Sequence, residues 1–219
     1  NKLNLLTVTN WAEHSANDLE GSTDWQEQIQ QTAISQSHAV TFASGSQKGG
    51  YKGNISYLNA QGVIKTSQLE RYGASVSGFT KVFDDRLILD AGLHTTRDNY
   101  TNIDYKKVFQ STYGINPTLS VTNANGVYQQ DELAGPLYAN PVEYLNNRFN
   151  DRSRDRLLIY TKAELDIWNG LKGTINISRN HQIENNRLYV NRNAKELEAS
   201  IYKLDNVGNG GRATRDFTD

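Results

Sequence analysis

The feature that most constrains the fold is a two-residue alternation across the range Leu157–Ser178. Apolar residues occupy every second position on both sides of Asn169-Gly170, and polar residues occupy the positions between them. Lys162, Glu164 and Asp166 therefore lie in mid-strand, opposite an apolar face. Asn-Gly is the strongest signal for a two-residue hairpin turn, because both of its residues tolerate positive φ. The segment predicts a hairpin with one apolar and one charged face, as in a transmembrane barrel.

The same alternation divides the rest of the chain into predicted segments. Residues 36–95 are predicted to form four strands, with turn signals at 46–50 and 84–86. Residues 1–35 are expected to be a loop with a short helix, because Asp24 can cap a segment in which Trp25 and Ile29 are four residues apart. Residues 157–179 form the hairpin, and loops are expected at 59–69, 96–156 and 180–219.

Short turns and long loops alternate along the chain, and this asymmetry favours an outer-membrane barrel. Such barrels have tight periplasmic turns and long extracellular loops. The turns at 46–50, 84–86 and 169–170 are then predicted to be periplasmic, and the loops at 59–69, 96–156 and 180–219 extracellular. The predicted fold class is all-β, with about six antiparallel transmembrane strands.

Composition excludes several classes of function. The chain has 219 residues with 23 basic and 24 acidic side chains, so no nucleic-acid partner is indicated. Cysteine is absent, which excludes disulfides, thiolate metal sites and a cysteine nucleophile. No apolar run approaches the roughly 18 residues of a spanning helix. Position 1 is not methionine and no signal peptide is visible, so we expect an internal piece of a longer protein.

Three segments in order resemble one known family. They are TDWQEQI at 23–29, HAVTFASGSQKGGYKGNISYLNAQGVIK at 38–65 and LERYGASVSGFTKVFDDRLIL at 69–89. They are similar to the SusC/RagA family of TonB-linked outer-membrane transporters of Bacteroidetes. The matching positions are Trp25, Gly45, Tyr51, Tyr57, Gly62, Arg71 and Tyr72, and Asn140-Pro141 fits as well. Ala43-Ser44-Gly45-Ser46 departs from the family pattern, which has a second glycine in this turn.

The resemblance implies a barrel of about 22 strands around an N-terminal plug. Such a barrel would lie in the outer membrane, in contact with its lipid, and carry a SusD-like surface lipoprotein as a lid. It would be powered through the TonB complex, and its cargo would be oligosaccharides or peptides. No plug or TonB-contacting segment is recognisable in this chain. A siderophore or vitamin transporter of similar architecture would differ only in cargo.

Charged and polar residues on the non-apolar face are the first set of candidate functional residues. A lysine on the lipid face would cost roughly 2–4 kcal/mol at the membrane midplane, so these side chains are predicted to face the lumen. They could contact the plug or the passing cargo, or they could form an internal salt-bridge ladder that only solvates the wall. The candidates are Asp90, His94, Lys162, Glu164 and Asp166.

Tyrosines of the long loop are the second set of candidates, since aromatic rings stack on sugars and peptides. The alternative is that they pack the loop on itself or against a lid protein. The loop tyrosines are Tyr100, Tyr105, Tyr113, Tyr128, Tyr138 and Tyr144. Aromatic residues near predicted strand ends, namely Tyr57, Tyr72, Tyr160 and Trp168, are instead predicted to anchor the wall at the membrane interface.

The sequence predicts no catalytic residue, metal site or cofactor. The glycine-rich run that ends at Gly211 lacks the Lys-Ser/Thr of a phosphate-binding loop, and residues 98–104 lack the central glycine and closing glutamate of a calcium loop. The alternative function is that of a secreted β-sandwich carbohydrate-binding module, which would bury the apolar face against a second sheet.

Overall fold

The computed structural model describes residues 18–131 and 139–191 with their side chains, and the backbone of residues 211–218. The chain forms two compact units. The sheet unit contains Thr32–Asn102 and Phe149–Tyr189, together with residues 212–218. The helical unit contains residues 18–31, 103–131 and 139–148.

The sheet unit is one seven-stranded sheet in which every strand is hydrogen-bonded to the next strand along the chain. The strands are β1 Ser35–Ser46, β2 Gly49–Gln61, β3 Gln68–Val82, β4 Leu87–Thr101, β5 Arg148–Trp168, β6 Leu171–Val190 and β7 Gly211–Thr218. The pairs from β1 to β5 are antiparallel. The predicted antiparallel architecture is confirmed, with seven strands rather than about six.

The strand register places the apolar residues of neighbouring strands on the same face of the sheet. Val40 lies opposite Ile55, Ile55 lies opposite Ala74, and Ala74 lies opposite Thr95, which in turn lies opposite Leu157. A shift of one residue at any ladder would move a whole strand's apolar set to the other face. The alternating pattern and the pairing therefore specify the same two faces throughout β1–β5.

The strands are longer than the sequence predicted, and the loops are correspondingly different. The predicted loop 96–156 contains the end of β4, two helices and the start of β5, while the predicted loop 180–219 contains the end of β6 and all of β7. The predicted loop 59–69 is reduced to residues 62–67. These strand ends were missed because both of their faces are polar, so no hydrophobic period marks them. The backbone ladder continues regardless, and the Asn102 amide still donates to the Asn150 carbonyl at 2.8 Å.

Two turns differ from the expected turn chemistry. Gly170 has a φ of 86°, but Asn169 is not among the residues with positive φ, so the turn is not the type I′ that Asn-Gly favours. In the β3–β4 turn, Phe83, Asp84 and Asp85 all have positive φ, between 54° and 64°. Left-handed backbone is unfavourable for residues with a Cβ atom, so this turn is held by its surroundings.

Arg86 supplies that support by joining the β3–β4 turn to the β5–β6 hairpin. Its guanidinium donates to the carbonyl oxygens of Asp166 and Ile167, with Nη2 3.0 Å from each oxygen. The Asp166 amide donates in return to the Arg86 carbonyl at 2.8 Å. The two short turns are thus fixed to each other at one end of the sheet.

The helical unit is built around short helices and a small apolar core. The helices are α1 Trp25–Ile29, α2 Tyr105–Gly114 and α3 Pro141–Asn147. The predicted N-terminal helix is confirmed, with the Asp24 carboxylate accepting hydrogen bonds from the Gln26 and Glu27 amides. Trp25 packs on Ile115 and Leu119, and its indole nitrogen donates to the Asn116 carbonyl at 3.0 Å. Within the described part of the chain, no helix is long and apolar enough to cross a membrane.

Candidate functional site

The two faces of the sheet differ in exposure and chemistry. The apolar face has large hydrophobic side chains that are open to their surroundings, and Val40 and Ile55 expose 69% and 63% of their surface. No second sheet is present among the described residues to cover it. The other face, called here the polar face, includes two groups of interacting charged residues. These groups are the candidate site.

The turn-side cluster consists of Lys162, Glu164, Asp166 and Lys172, close to the short turns. Lys162 Nζ lies 3.3 Å from a Glu164 oxygen, and Lys172 Nζ lies 3.5 Å from Glu164 and 3.7 Å from Asp166. Lysines alternate with carboxylates on neighbouring positions of one face, so each carboxylate contacts at least one ammonium group. This arrangement is the salt-bridge ladder that the sequence allowed as one alternative.

Asp90 and His94 lie on the polar face of β4 without such partners. Asp90 is in register with Lys162, and His94 is in register with Leu158. Neither side chain takes part in a hydrogen bond or ion pair with another residue that the structure describes. Of the five predicted lumen-facing residues, three are therefore joined in the turn-side cluster, and these two keep their polar groups available.

The loop-side cluster lies on the same face towards the other strand ends and was missed from the sequence. The Arg71 guanidinium donates two hydrogen bonds to the Asp98 carboxylate, at 2.6 and 3.0 Å, and Asp98 is only 3% exposed. Arg154 makes two more to Glu184, at 3.1 and 2.9 Å, while Arg152 approaches the same carboxylate at 3.5 Å. The signal that could have revealed it is the run of arginines from Arg148 to Arg156 facing the acidic residues of β4 and β6.

Tyr100 belongs to this cluster and not to a loop. Its hydroxyl accepts a hydrogen bond from Arg154 Nη2 at 3.2 Å, and the Arg154 guanidinium lies 5.7 Å from its ring centre. The expectation that Tyr100 lies in a loop is wrong, because β4 continues to Thr101. The Arg71–Asp98 pair is bidentate, a geometry that holds both planar groups firmly, whereas Arg154 donates both of its bonds to one Glu184 oxygen. The cluster can hold β3, β4, β5 and β6 together near their strand ends, beyond the last residues of the apolar face.

Sequence comparison finds relatives among membrane receptors, while no family model matches the chain. The chain is 29% identical to the TonB-dependent receptor SusC of Bacteroides thetaiotaomicron over 120 residues, 54% of this chain. It is 26% identical to the TonB-dependent receptor P3 of Formosa agariphila over 186 residues, 78% of this chain. The matched regions span 12% and 18% of the length of these two receptors.

Solved structures show the same fold. The structure of the RagAB peptide transporter superposes with a TM-score of 0.72 at 17% identity, covering 92% of this chain and 22% of the matched chain. The RagAB peptide importer in its closed-closed state gives a TM-score of 0.66 at 16% identity. The resemblance to the SusC/RagA-type TonB-dependent transporters is confirmed. The names of these relatives are those of receptors, importers and transporters, not of enzymes.

An aromatic pair lies at one end of the apolar face of the sheet. The rings of Tyr57 and Tyr72 lie 5.2 Å apart, and both hydroxyls donate to a Glu70 carboxylate oxygen, at 3.1 and 2.8 Å. Tyr160, predicted to belong with them, is instead in register with Gly92 on the polar face. Tyr160 follows Ile159, which lies on the apolar face, and successive residues of a strand point to opposite faces, so Tyr160 lies on the polar face.

The remaining predicted tyrosines do not form one group. Tyr105 and Tyr113 are exposed on α2, where Phe109 stacks on Tyr113 with ring centres 6.2 Å apart. The hydroxyl of Tyr128 accepts from Asn146 at 2.9 Å. Tyr144 is buried, with the Lys107 ammonium 4.9 Å from its ring centre. Tyr138 lies outside the described residues.

Asn140 is a further residue of the helical unit whose role the sequence did not show. It is fully buried, and its amide nitrogen donates to the carbonyls of Val121 and Gln129 at 2.9 and 3.0 Å. Its side-chain oxygen caps α3 by accepting from the Val142 and Glu143 amides. Asn140-Pro141 thus fixes the start of α3 to the preceding segment. No cluster of metal-ligating side chains occurs within the described ranges.

Proposed function

We propose that this chain forms wall strands and a loop-borne helical unit of a TonB-dependent transporter in the outer membrane. The whole protein would import oligosaccharides or peptides together with a SusD-like surface lipoprotein. The observation that carries the proposal is a single sheet with an exposed apolar face opposite a face of paired charges. A wall between lipid and an aqueous lumen requires this distribution.

The distribution of charge favours this function over the β-sandwich alternative. A sandwich would bury Val40, Ile55 and their neighbours against a second sheet, and the described residues form one sheet only. A face carrying the turn-side cluster would be costly to bury in a dry core, because ion pairs lose hydration that their mutual attraction only partly restores. Facing a water-filled lumen, the same side chains keep that hydration.

The residues divide into supporting and contacting groups under this proposal. Both charge clusters hold neighbouring strands in register, so they would serve the wall itself. Asp90 and His94 have free polar groups and would meet the plug or the passing cargo. Tyr105, Phe109 and Tyr113 form an aromatic stripe on α2 that would contact cargo or the lipoprotein. Energy would come through the TonB complex, and no residue here is assigned a catalytic role.

Single-cysteine labelling tests the orientation of the two faces. The chain has no cysteine, so Ser75→Cys and Val76→Cys can be placed in a cysteine-free background of the full-length protein, in native outer membranes. These neighbours point to opposite faces, which controls for local backbone effects. We expect a water-soluble maleimide to label Ser75→Cys and a lipid-soluble maleimide to label Val76→Cys. Labelling of both positions by the water-soluble reagent would contradict the membrane wall.

Purification of the full-length protein tests the assignment as a whole. Extracted from outer membranes in detergent, it should migrate as a heat-modifiable barrel and bring a SusD-like lipoprotein with it. The double variant Tyr105→Ala/Tyr113→Ala should keep the barrel but reduce cargo uptake or lipoprotein retention, whereas Tyr128→Phe should not. A water-soluble β protein without a lipoprotein partner would rule the proposal out in favour of the binding module.

A further inference from the structure

A cavity of about 330 Å³ lies within the sheet unit, on the apolar-face side but beyond the apolar residues. This size falls at the lower end of small-ligand sites. Its polar lining comes from β3, β4, β5 and β6 and includes Tyr100 and Arg152 of the loop-side cluster. Among the other lining residues are Gln68, Glu70, Arg97, Asn99, Asp151 and Arg187.

The position of the cavity along the strands places its near side, at Glu70, in the lipid head-group layer and its far side, at Gln68, just above that layer. On β3, the apolar-face positions are Val76, Ala74, Tyr72, Glu70 and Gln68, in order away from the short turn. Two residues of strand advance about 6.7 Å, so the cavity extends about 13 Å beyond Tyr72. At a strand tilt of about 40° this is about 10 Å of height. The head-group layer is about 5–8 Å deep on each side of the hydrocarbon.

Two arginines of the cavity lining have a long ion pair or none. Arg97 lies 3.6 Å from Asp155 and its side chain is 60% exposed. Arg187 has no ion pair with any residue that the structure describes. The two acidic lining residues accept hydrogen bonds from neutral groups, Glu70 from two phenols and Asp151 from the Thr101 hydroxyl at 3.3 Å. Three guanidinium groups, those of Arg97, Arg152 and Arg187, line the cavity against these two carboxylates, so an excess positive charge is left for an anion.

The neutral lining residues add hydrogen-bonding groups around this positive centre. Gln68 and Asn99 supply amide groups, and Ser153 and Thr101 supply hydroxyls. Amides and hydroxyls both donate to and accept from alcohols, so they suit a polyhydroxylated ring. Guanidinium groups suit phosphate, which they can bind through two parallel hydrogen bonds. The combination fits a sugar that carries phosphate.

We propose that this cavity binds the phosphorylated sugar head group of an outer-leaflet lipid. The inference rests on the proposed function, because it takes the apolar face to be in contact with lipid. Arg97 and Arg187 contact the phosphate, and Gln68 and Asn99 contact the sugar hydroxyls. The acyl chains lie along the apolar face below the Tyr57–Tyr72 pair.

Lipid retention by the full-length transporter tests the site. The detergent-purified protein is delipidated, incubated with diphosphoryl lipid A in micelles and passed over a sizing column, and lipid phosphorus per barrel is measured. The test variant is Arg97→Gln/Arg187→Gln. The matched control is Arg179→Gln, because Arg179 is an exposed arginine of β6 that does not line the cavity. Inorganic phosphate and phosphatidylcholine are run as competing ligands.

We expect the double variant to bind lipid A about tenfold more weakly than the wild type, since charge-assisted hydrogen bonds are lost, and the control variant to bind normally. Equal retention by the double variant would overturn the inference. Displacement of the lipid by an equal concentration of inorganic phosphate would also overturn it, in favour of a free-anion site. Heat-modifiability of the same samples separates the two proposals. A folded barrel without lipid retention refutes only this site, whereas a protein that is not a barrel refutes both.

Discussion

The sheet unit and the helical unit keep their apolar residues in opposite environments. In the sheet unit, Val40, Ile55 and Ile177 each expose more than half of their surface. In the helical unit, Trp25, Ile29 and Val108 are almost completely buried. The sheet is therefore stabilised by its backbone ladder, its cross-strand charges and whatever apolar medium surrounds it. The helical unit has a core of its own.

Replacing Trp25 with alanine should break the helical unit alone and gives the largest expected effect. Loss of a buried tryptophan costs about 4 kcal/mol, through lost burial and the cavity left behind. Limited proteolysis should then cut within residues 103–131, while the barrel stays heat-modifiable. The control is Trp168→Ala, since Trp168 is 79% exposed in the sheet unit. If Trp25→Ala abolished the barrel as well, the two units would not be independently stabilised.

A charged residue on the apolar face should lower the stability of the sheet unit, because under the proposed function this face contacts lipid. Val76→Arg is expected to cost about 3 kcal/mol in a bilayer, because the arginine must leave water. Ser77→Arg places the same side chain on the neighbouring position of the polar face and should cost far less. Denaturant midpoints measured in lipid vesicles report the difference. Equal midpoints for both variants would mean that the apolar face does not contact lipid.

Removing the acidic partner of Arg71 tests whether charge pairs stabilise the strand ends. Asp98→Asn leaves the guanidinium without its carboxylate and should cost about 2 kcal/mol, less than for a fully buried pair because Arg71 is partly exposed. Asp90→Asn makes the same change on the same strand and face, where no partner is lost. A denaturant midpoint that falls equally in both variants would show that the pairing itself contributes nothing.

The contact between the two short turns should give the smallest effect. Arg86→Ala removes donors to the Asp166 and Ile167 carbonyls and is expected to cost about 1 kcal/mol. The loss should appear as faster hydrogen exchange at the Asp166 amide. Arg156→Ala serves as the control, since the Arg156 guanidinium donates to a side chain, that of Gln182, and not to a backbone carbonyl. Unchanged exchange in Arg86→Ala would show that the strained β3–β4 turn holds its shape alone.

Sequence patterns predicted the sheet only where one face is apolar. Between Val40 and Tyr57, and again between Leu157 and Ile177, the two-residue period is visible, and the strands lie there. In Arg148–Arg156 both faces are polar, so the strand can be identified only from its partners' charges. The alternation of apolar and polar residues within one strand does not indicate which distant strand will pair with it, or in which register.

The helical unit was less predictable because its signals are local and weak. Asp104 caps α2 by accepting from the Lys107 amide at 3.0 Å, but the helix is rich in aromatic and β-branched residues of low helix propensity. The sequence shows that tyrosines are numerous in this region, yet the role of each depends on its burial. Tyr113 and Tyr144 have the same chemistry and opposite exposure. Only tertiary packing distinguishes them.

The hydrogen bond between Asn102 and Asn150 has a consequence for how such transporters diversify. It brings together the two ends of the intervening segment, residues 103–149, directly beyond Thr101 and Asp151, the last pair of the β4–β5 ladder. Because closure entropy grows only slowly with loop length, a much longer or shorter insert with the same end separation would leave the wall unchanged. Under the proposed function, this segment could be exchanged together with its packing partner Trp25, and new specificities could arise there while the sheet is kept.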